Sequence, residues 1–560
     1  MDVARCNRLR VVASGDGETG SYPRNPSKRV GSALLVAAMA AILLLCGCAA
    51  VGPDFVRPTA PMNDEWVEAV GPRIKREPAD LTDWWTVLND PVLDSLVEMA
   101  YKENLPLRVA GVRILQARAQ LGFAIGTQYP QLQQARFNAA GVQISDNAPN
   151  AAILDQNFGD YSLGLDAAWE LDFWGKFRRG VESAYADYFA SISSYNDFLV
   201  SLTGEVARVY VLIRTLEERI KLAQANVKIQ ERSLQIAEVR FRNGLVTELD
   251  VAQARTLLRT TQALIPNLET SLHQAKHGLS ILLGMPPSDL QDILGDPRSI
   301  PTAPAEVAVG IPAELLRRRP DIRFAELQAA AQSARIGIAK ADLYPQFVLF
   351  GSLGLQASSH TDFLSNNSSF SDLFSGDSFT YFFGASIKWP ILNYGRIKNR
   401  VRIQDATFQQ LMISYQNTVL QAAREVEDSM VAFLKSQDEA SFLSDGVAAA
   451  ERSVELALIQ YRDGLVDYQR VLDTQRSLTE QQDGLTATRG SITLNLVAMY
   501  KALGGGWQSR VGDEFIPEST KDEMRNRVDW GRYLEPEQKP PSPFMINQPW
   551  KGIEQASYGD

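Results

Sequence analysis

Cysteine is nearly absent. The 560 residues hold three, Cys6, Cys46 and Cys48, all near the N-terminus. A disulfide framework is therefore excluded for the rest of the chain. Histidine is as scarce, with three residues in all. His273 and His277 stand four apart, a spacing metals use, but no acidic or cysteine partner joins the motif. They read as a solvated helix face, and no metal site is assigned. No HExxH, phosphate loop, GxSxG or CxxC occurs. The chain is accordingly not read as an enzyme, and no cofactor is expected. Basic charge is in deficit: the net charge is −10, which speaks against nucleic acid as a partner. Long apolar runs are also missing. Beyond the N-terminus none reaches the roughly 18–20 residues of a membrane-spanning helix.

The N-terminus is the exception. Arg24, Lys28 and Arg29 precede the almost wholly apolar Val30–Leu45. A basic segment, an apolar core and a small residue at Gly47 read as a secretion signal over residues 1–47. Leu45-Cys46-Gly47-Cys48 resembles a bacterial lipobox, with Cys48 as the lipidated residue. Cys46 stands where Ala or Ser is more usual, and a plain signal peptide is the alternative. Ala49 rather than Asp follows Cys48, which points to outer-membrane sorting.

What the chain has in abundance is heptad periodicity, and it has it twice. Leu202, Val206, Val209, Ile213, Leu216, Ile220, Ala223 and Val227 step by four and three, the seam of a left-handed coiled coil. Val251, Ala254, Leu258, Ile265, Leu268, Leu272, Ala275, Leu279 and Leu282 resume the rhythm. Between them lies Phe241–Asp250, FRNGLVTELD, where Gly244 tolerates the positive φ of a sharp reversal. This predicts an antiparallel helical hairpin with Gly244-Leu245-Val246 at its tip. Tyr461–Arg470, YRDGLVDYQR, copies it with Gly464-Leu465-Val466, offset by 220 residues (241 to 461). The same offset links Trp169 to Trp389, Gly175 to Gly395, and Leu283-Gly284 to Leu503-Gly504. So constant a register predicts a duplicated unit of about 200 residues.

Each repeat also carries two strand candidates. In the first, Tyr161, Leu163, Leu165, Ala167 and Trp169 alternate with polar or small residues; in the second, Phe379, Tyr381, Phe383, Ala385, Ile387 and Trp389 do so. Their partners are Gln131–Ser145 and Gln346–Ser358. Strands of about ten residues with an aromatic-rich face match a transmembrane β-barrel. A half-buried sheet in a soluble domain is the alternative. Four strands cannot close a membrane barrel, which needs at least about eight. Open edges in lipid leave backbone groups unpaired, so a membrane reading requires several chains to share one barrel. The long helix expected over Val181–Arg240 would span about 90 Å. The shorter helices Asn104–Thr127 and Asp250–Leu283, stacked end to end, match it. Each repeat thus yields two staves, with strands at one end and a hairpin tip at the other.

Several motifs now stand in a fixed order. They are the lipobox with VGPDFVRP (Val51–Pro58), Trp84-Trp85 with Asp90-Pro91, and the YPQ turns at Tyr129 and Tyr344. Trp174-Gly175, Tyr394-Gly395, the paired tips and YKALGGGW (Tyr500–Trp507) follow. Together they resemble the outer-membrane efflux proteins, TolC-like factors, in the lipoprotein branch serving resistance-nodulation-division pumps. The likeness covers about Cys48–Trp507. It implies a mainly α fold with a membrane β part: a homotrimer with a 12-stranded barrel, four strands per chain, continued by a 12-helix coiled-coil tunnel.

The expected division is a signal peptide (1–47), a lipidated arm with a first short helix (48–103), repeat 1 (104–284), a linker (285–317), repeat 2 (318–504) and a tail (505–560). The resemblance further implies a passive exit duct for small molecules, docked to a periplasmic adaptor and an inner-membrane pump. By motif position Asp250 and Asp473 match acidic residues that ring the periplasmic constriction. Helix-surface carboxylates, or a cap in the case of Asp250, are the bland alternative. Where some relatives carry an Arg and a further Asp, this chain has Val466 and Arg470, so Arg470 is expected to pair with Asp473 or Asp467. Docking falls to Gly244, Leu245, Val246, Gly464, Leu465 and Val466, with Arg242 and Arg462 beside them. The competing readings are a periplasmic coiled-coil scaffold, a pump adaptor, and the same channel serving protein secretion or metal efflux. The scaffold leaves the aromatic strands unexplained, and an adaptor would need two lipoyl half-motifs around a single hairpin.

Overall fold

The computed structural model describes residues 50–535, apart from residues 70, 78–79, 146, 148–155 and 360–368. Cys48, the leader and the last 25 residues lie outside the described residues.

The chain opens with an extended arm holding strand β1 (Ile74–Lys75) and a short turn of helix at Trp84–Leu88. Helices α1 (Pro91–Glu103) and α2 (Leu105–Gly126) follow. Strands β2 (Leu132–Gln143) and β3 (Asn157–Leu171) lead into the long helix α3 (Lys176–Arg242) and its return α4 (Glu248–Leu282). The linker carries α5 (Gln291–Leu294), β4 (Val307–Ala308) and α6 (Pro312–Arg318). Helix α7 (Pro320–Ala341), strands β5 (Gln346–Ser359) and β6 (Phe379–Lys388), and helices α8 (Arg396–Arg462) and α9 (Tyr468–Ala502) form the second repeat. The tail adds α10 (Glu518–Arg527). The duplication is metrical: α2 and α7 each have 22 residues, α3 and α8 each 67, α4 and α9 each 35.

Local chemistry sets the ends. Asp90 caps α1 by accepting from the Val92 N–H at 3.0 Å, with Pro91 in the first turn where no N–H is required. Asn104 caps α2 through the Leu107 N–H at 2.8 Å, and its amide donates back to the Leu282 carbonyl at 2.9 Å. That bond joins the two short helices at the waist of the molecule. The long helix exceeds its expected limits at both ends, starting at Lys176 rather than Val181. Apolar periodicity is a poor guide to a helix's first turn, where turn geometry decides.

Strands run β2-β3-β5-β6, all antiparallel. The helices repeat that lateral order. Helix α3 packs against α2, α4, α7 and α9, whereas α8 packs mainly on α7 and α9. Four strands are thus continued by four staves: α2 with α4, then α3, then α7 with α9, then α8. Both outer strands, β2 and β6, have an unpaired edge, and apolar side chains stand exposed along the outer staves (Phe123 and Ile281 on one, Ile403, Ile413 and Phe442 on the other). No described helix is long and apolar enough to cross a membrane.

The pairing register assigns the two sheet faces. Ala135, Leu165, Leu353 and Tyr381 share one face, as do Phe137, Leu163 and Leu355 with Phe379. Gln134, Asp166 and Ser352 share the other. At the helix end of the apolar face, Trp169 and Trp389 donate to the carbonyls of Gln128 and Leu343, each at 3.1 Å. An amphipathic indole so placed suits a membrane–water boundary.

The core lies at the waist. Trp84 stacks on Tyr500 at 5.2 Å and meets Trp85 edge-on at 6.0 Å. A fully buried cation sits there too. Arg214 donates to Glu217 at 2.7 Å, to the Leu294 carbonyl at 2.7 Å and to the Tyr210 hydroxyl at 3.2 Å. Tyr210 in turn donates to Asp90 at 2.5 Å. One network thus links α1, α3 and the linker. The linker also pairs with the arm, since β1 and β4 form a two-stranded parallel sheet.

Arm and tail both act as straps. Arg57 forks onto Glu326 at 2.6 and 2.8 Å, and the Val67 and Glu68 N–H groups reach the Glu427 carboxylate at 2.8 and 3.0 Å. In the tail, Ile516, Met524 and Leu534 close over Leu115, and Arg118 donates to the Tyr533 and Glu535 carbonyls, each at 2.9 Å.

Candidate functional site: the hairpin tips

Both tips end their long helices with a glycine in the left-handed region, φ 67° at Gly244 and 77° at Gly464. The Gly244 N–H returns to Phe241 and the Leu245 N–H to Arg240, both at 2.9 Å; Gly464 and Leu465 repeat this onto Tyr461 and Gln460 at 3.0 and 2.8 Å. These two bonds close a helix end that a side chain at the glycine would strain. The tip triplets then divide. Leu245 and Leu465 project into solvent, 66% and 75% exposed. Val246 and Val466 turn inward onto an apolar cluster that includes Ala237, Val251, Tyr461 and Tyr468.

That cluster joins the two hairpins. The Arg240 guanidinium lies over the Tyr461 ring, 4.6 Å from its centre, and donates to the Tyr461 and Arg462 carbonyls. Tyr461 meets Tyr468 edge-on at 5.1 Å. Sequence reasoning missed Arg240, Tyr461 and Tyr468. The available signal was Tyr461 in the place of Phe241, an aromatic retained at the base of both tips.

Asp250 is half-buried in the first turn of α4 and does not cap it, since the cap position is Thr247. Burial, and next the charge of Asp467, push the Asp250 carboxyl above the usual carboxylate range. Asp467 is the residue that caps α9, accepting from the Arg470 N–H at 3.3 Å. Asp473 is exposed and accepts from the Gln469 amide at 2.9 Å, while Gln469 meets Gln253 of the other hairpin at 3.3 Å. The expected ionic link of Arg470 does not form: only its backbone meets Asp467, and among the described residues its guanidinium has no carboxylate within ion-pair distance. Asp250 and Asp467 are therefore the acidic groups brought together, with Asp473 on a separate amide ladder. His273 and His277 are exposed on α4, ring centres 6.4 Å apart, and no cluster of three potential metal ligands occurs among the described residues.

A duplicated stave-and-strand layer with two free edges, paired helical tips and an aromatic-girdled apolar sheet face defines an outer-membrane channel subunit. The sequence model of the outer membrane efflux protein family matches residues 96–285 and 311–505, and the chain belongs to that family. It is a family of efflux ducts rather than of enzymes.

Among curated relatives, the pyoverdine export outer membrane protein OpmQ of Pseudomonas putida is 31% identical over 76% of this chain and 88% of its own. The solvent efflux pump outer membrane protein SrpC of Pseudomonas putida is 32% identical over 84% of this chain and 97% of its own. Among solved structures, the outer-membrane channel OprN superposes with a TM-score of 0.75 at 32% identity, covering 82% of this chain and 99% of that one. The chain is thus the outer-membrane channel component of an efflux system.

Proposed function

We propose that three copies of this chain close into one conduit, a 12-stranded barrel continued by a 12-stave tunnel, that receives small toxic molecules from an inner-membrane resistance-nodulation-division pump through a periplasmic adaptor. One observation carries the reading. Strands and staves follow the same lateral order, and both layers end in unpaired edges. In lipid an open sheet edge leaves N–H and C=O groups unsatisfied at several kcal/mol each, so β6 of one copy must meet β2 of the next. The apolar side chains on the outer staves are buried by the same closure. The polar sheet face becomes the wall of the barrel, and the apolar face meets lipid.

Lipidation at Cys48 fits this placement. The arm begins where strands pass into helices: the Val51 N–H donates to the Trp174 carbonyl at 3.0 Å, and Ala50 lies against Gly175. Lipid on Cys48, which lies outside the described residues, anchors the chain to the outer membrane. A relative, SilC of Salmonella typhimurium, is described as a probable outer membrane lipoprotein. Native mass measurement of the detergent-extracted protein should show three chains, each bearing lipid. A monomer that conducts ions would refute the trimeric conduit.

At the tips, Leu245 and Leu465 are the docking points. The groove between the hairpins, lined by Arg232, Ile236, Val239, Arg240 and Arg462, receives the adaptor's helical end. Asp250, Asp473 and Arg470 lie at the periplasmic constriction. Threefold symmetry sets three Asp473 carboxylates around the axis, which attracts cations and repels anions. Bilayer recordings of Asp473→Asn trimers should show a reduced cation-to-anion permeability ratio; an unchanged ratio removes Asp473 from the ring.

A further inference from the structure

The chain holds one complete seam between its repeats, and the duplication makes that seam a template for the one between copies. Helix α3 of repeat 1 packs on α7 and α9 of repeat 2. In a ring of copies joined head to tail, α8 of repeat 2 meets α2 and α4 of the next copy in the same way. The long and return helices correspond at an offset of 220 residues (Lys176 to Arg396, Glu248 to Tyr468). The short helices correspond at 215 (Leu105 to Pro320). Each contact of the inner seam therefore names its outer counterpart.

In the upper half, nearest the strands, the counterparts match. Trp174 stacks on Tyr344 at 4.6 Å; the equivalent pair is Tyr394 with Tyr129, the first fully exposed and the second 63% exposed. Arg335 donates to Ser183 at 3.1 Å; the equivalents are Gln120 and Ile403, with Phe123 one turn from Gln120. Ser193 shares a small cavity with Pro320; the equivalents are Ile413 and Leu105. Ile403, Phe123, Ile413 and Leu105 all stand exposed in the single chain. Apolar side chains thus wait on both sides at each level, as on a surface built for a partner.

The lower half loses its ties. Inside the chain Arg219 forks onto Asp483 at 2.8 and 2.9 Å, Asn226 donates to Gln482 at 3.1 Å, Gln475 donates to Ser233 at 2.6 Å, and Arg240 covers the Tyr461 ring. The equivalent pairs between copies are Glu439 with Ala263, Gly446 with Gln262, Ser453 with Arg255, and Gln460 with Phe241. Neither the ion pair nor the cation over a ring is reproduced, and Gly446 offers Gln262 no side chain. Arg255 is engaged by Glu238 of its own hairpin at 3.4 Å. Four ties make the two hairpins of one chain a single body, so relative motion falls to the untied seam. We propose that a second copy of this chain docks its Tyr394, Ile403 and Ile413 face onto Tyr129, Phe123 and Leu105, and that below this clasp the seam between copies, rather than the tied seam within each chain, parts to widen the tunnel. The proposal rests on the trimeric reading above and adds to it where the tunnel yields.

Cysteine pairs test this, since the native cysteines all lie at or before residue 48. A short bifunctional thiosulfonate, removable by reductant, bridges each pair. Tyr129→Cys/Tyr394→Cys should run as a covalent trimer in a denaturing gel; unlinked chains there overturn the clasp. Mean conductance in a planar bilayer reads the lower seam. Bridging Gln262→Cys/Gly446→Cys, between copies, should lower the conductance, and reductant should restore it. Bridging Asn226→Cys/Gln482→Cys, within the chain, should leave it unchanged. Single-cysteine variants treated alike guard against effects of the substitutions themselves. Equal loss from both bridges, loss from the inner bridge alone, or loss from neither overturns the proposal. The two readings fail differently: a monomeric mass for the unmodified protein removes the conduit, whereas a trimer that gives any of these contrary results removes only the seam.

Discussion

A Leu465→Asp variant is expected to lose capture by the periplasmic adaptor while its trimer yield stays normal. Leu465 is 75% exposed at the point of the second hairpin, so its side chain stabilises nothing within the chain. The turn beneath it is held by backbone bonds and by Gly464, which the substitution leaves intact. A carboxylate in place of an apolar anchor must be desolvated on docking. Loss of such an anchor costs about 2–4 kcal/mol, or at least thirtyfold in affinity per tip. Three copies in a trimer multiply the loss, because avidity needs every tip. Val466→Asp is the contrast. Val466 packs inward, so that change should destabilise the tip cluster as well as docking. Undiminished co-purification of Leu465→Asp with the adaptor, at normal trimer yield, would exclude docking through the tips.

Arg214→Ala is expected to produce the largest loss of stability at the waist. The guanidinium is fully buried and holds Glu217, Tyr210 and the Leu294 carbonyl. Its removal strands the Glu217 carboxylate, whose side chain is only 7% exposed, and unfastens the linker from α3. Breaking a buried pair from one side costs about 3–5 kcal/mol. In a chain of this length the unfolding entropy is large, so the thermal midpoint should fall by only on the order of 4 °C. The rate of unfolding in denaturant is therefore the sharper readout. Arg214→Met should do equal harm, because it too leaves Glu217 alone. Arg214→Met/Glu217→Leu should recover much of the loss, as apolar replacement of a whole buried pair often does. If Arg214→Ala unfolds at the parental rate, the network does not hold the waist.

These two residues also differ in how far the sequence announces them. Leu465 follows a glycine that interrupts a heptad run, and an earlier copy stands at Leu245. Both signals are local and repeated. Arg214 interrupts nothing: it sits among buried heptad positions, where an arginine looks like an exposed face. Its partner Leu294 is 80 residues away, Tyr210 beside it reaches Asp90 across 120 residues, and no periodicity links them. The same holds for Arg240 over Tyr461, for the β1–β4 pair and for the tail strapped onto α2. Each joins polar or short segments across long stretches of chain. The strands were legible because alternation is a two-residue signal, whereas which residues of different strands share a face needed the register, since a one-residue slip exchanges the faces. The Arg470 ion pair was expected from nearness in sequence, but residues three apart on a helix end meet only if their rotamers converge.

By itself the sequence determined the repeat, the helical seams, the strands and the tips, because each is written in the period of a local backbone geometry. Only the tertiary structure decided that strands and staves share one lateral order and that two edges stay open. That order depends on which faces bury each other, and such contacts are set by the closing of long loops rather than by any neighbouring residues.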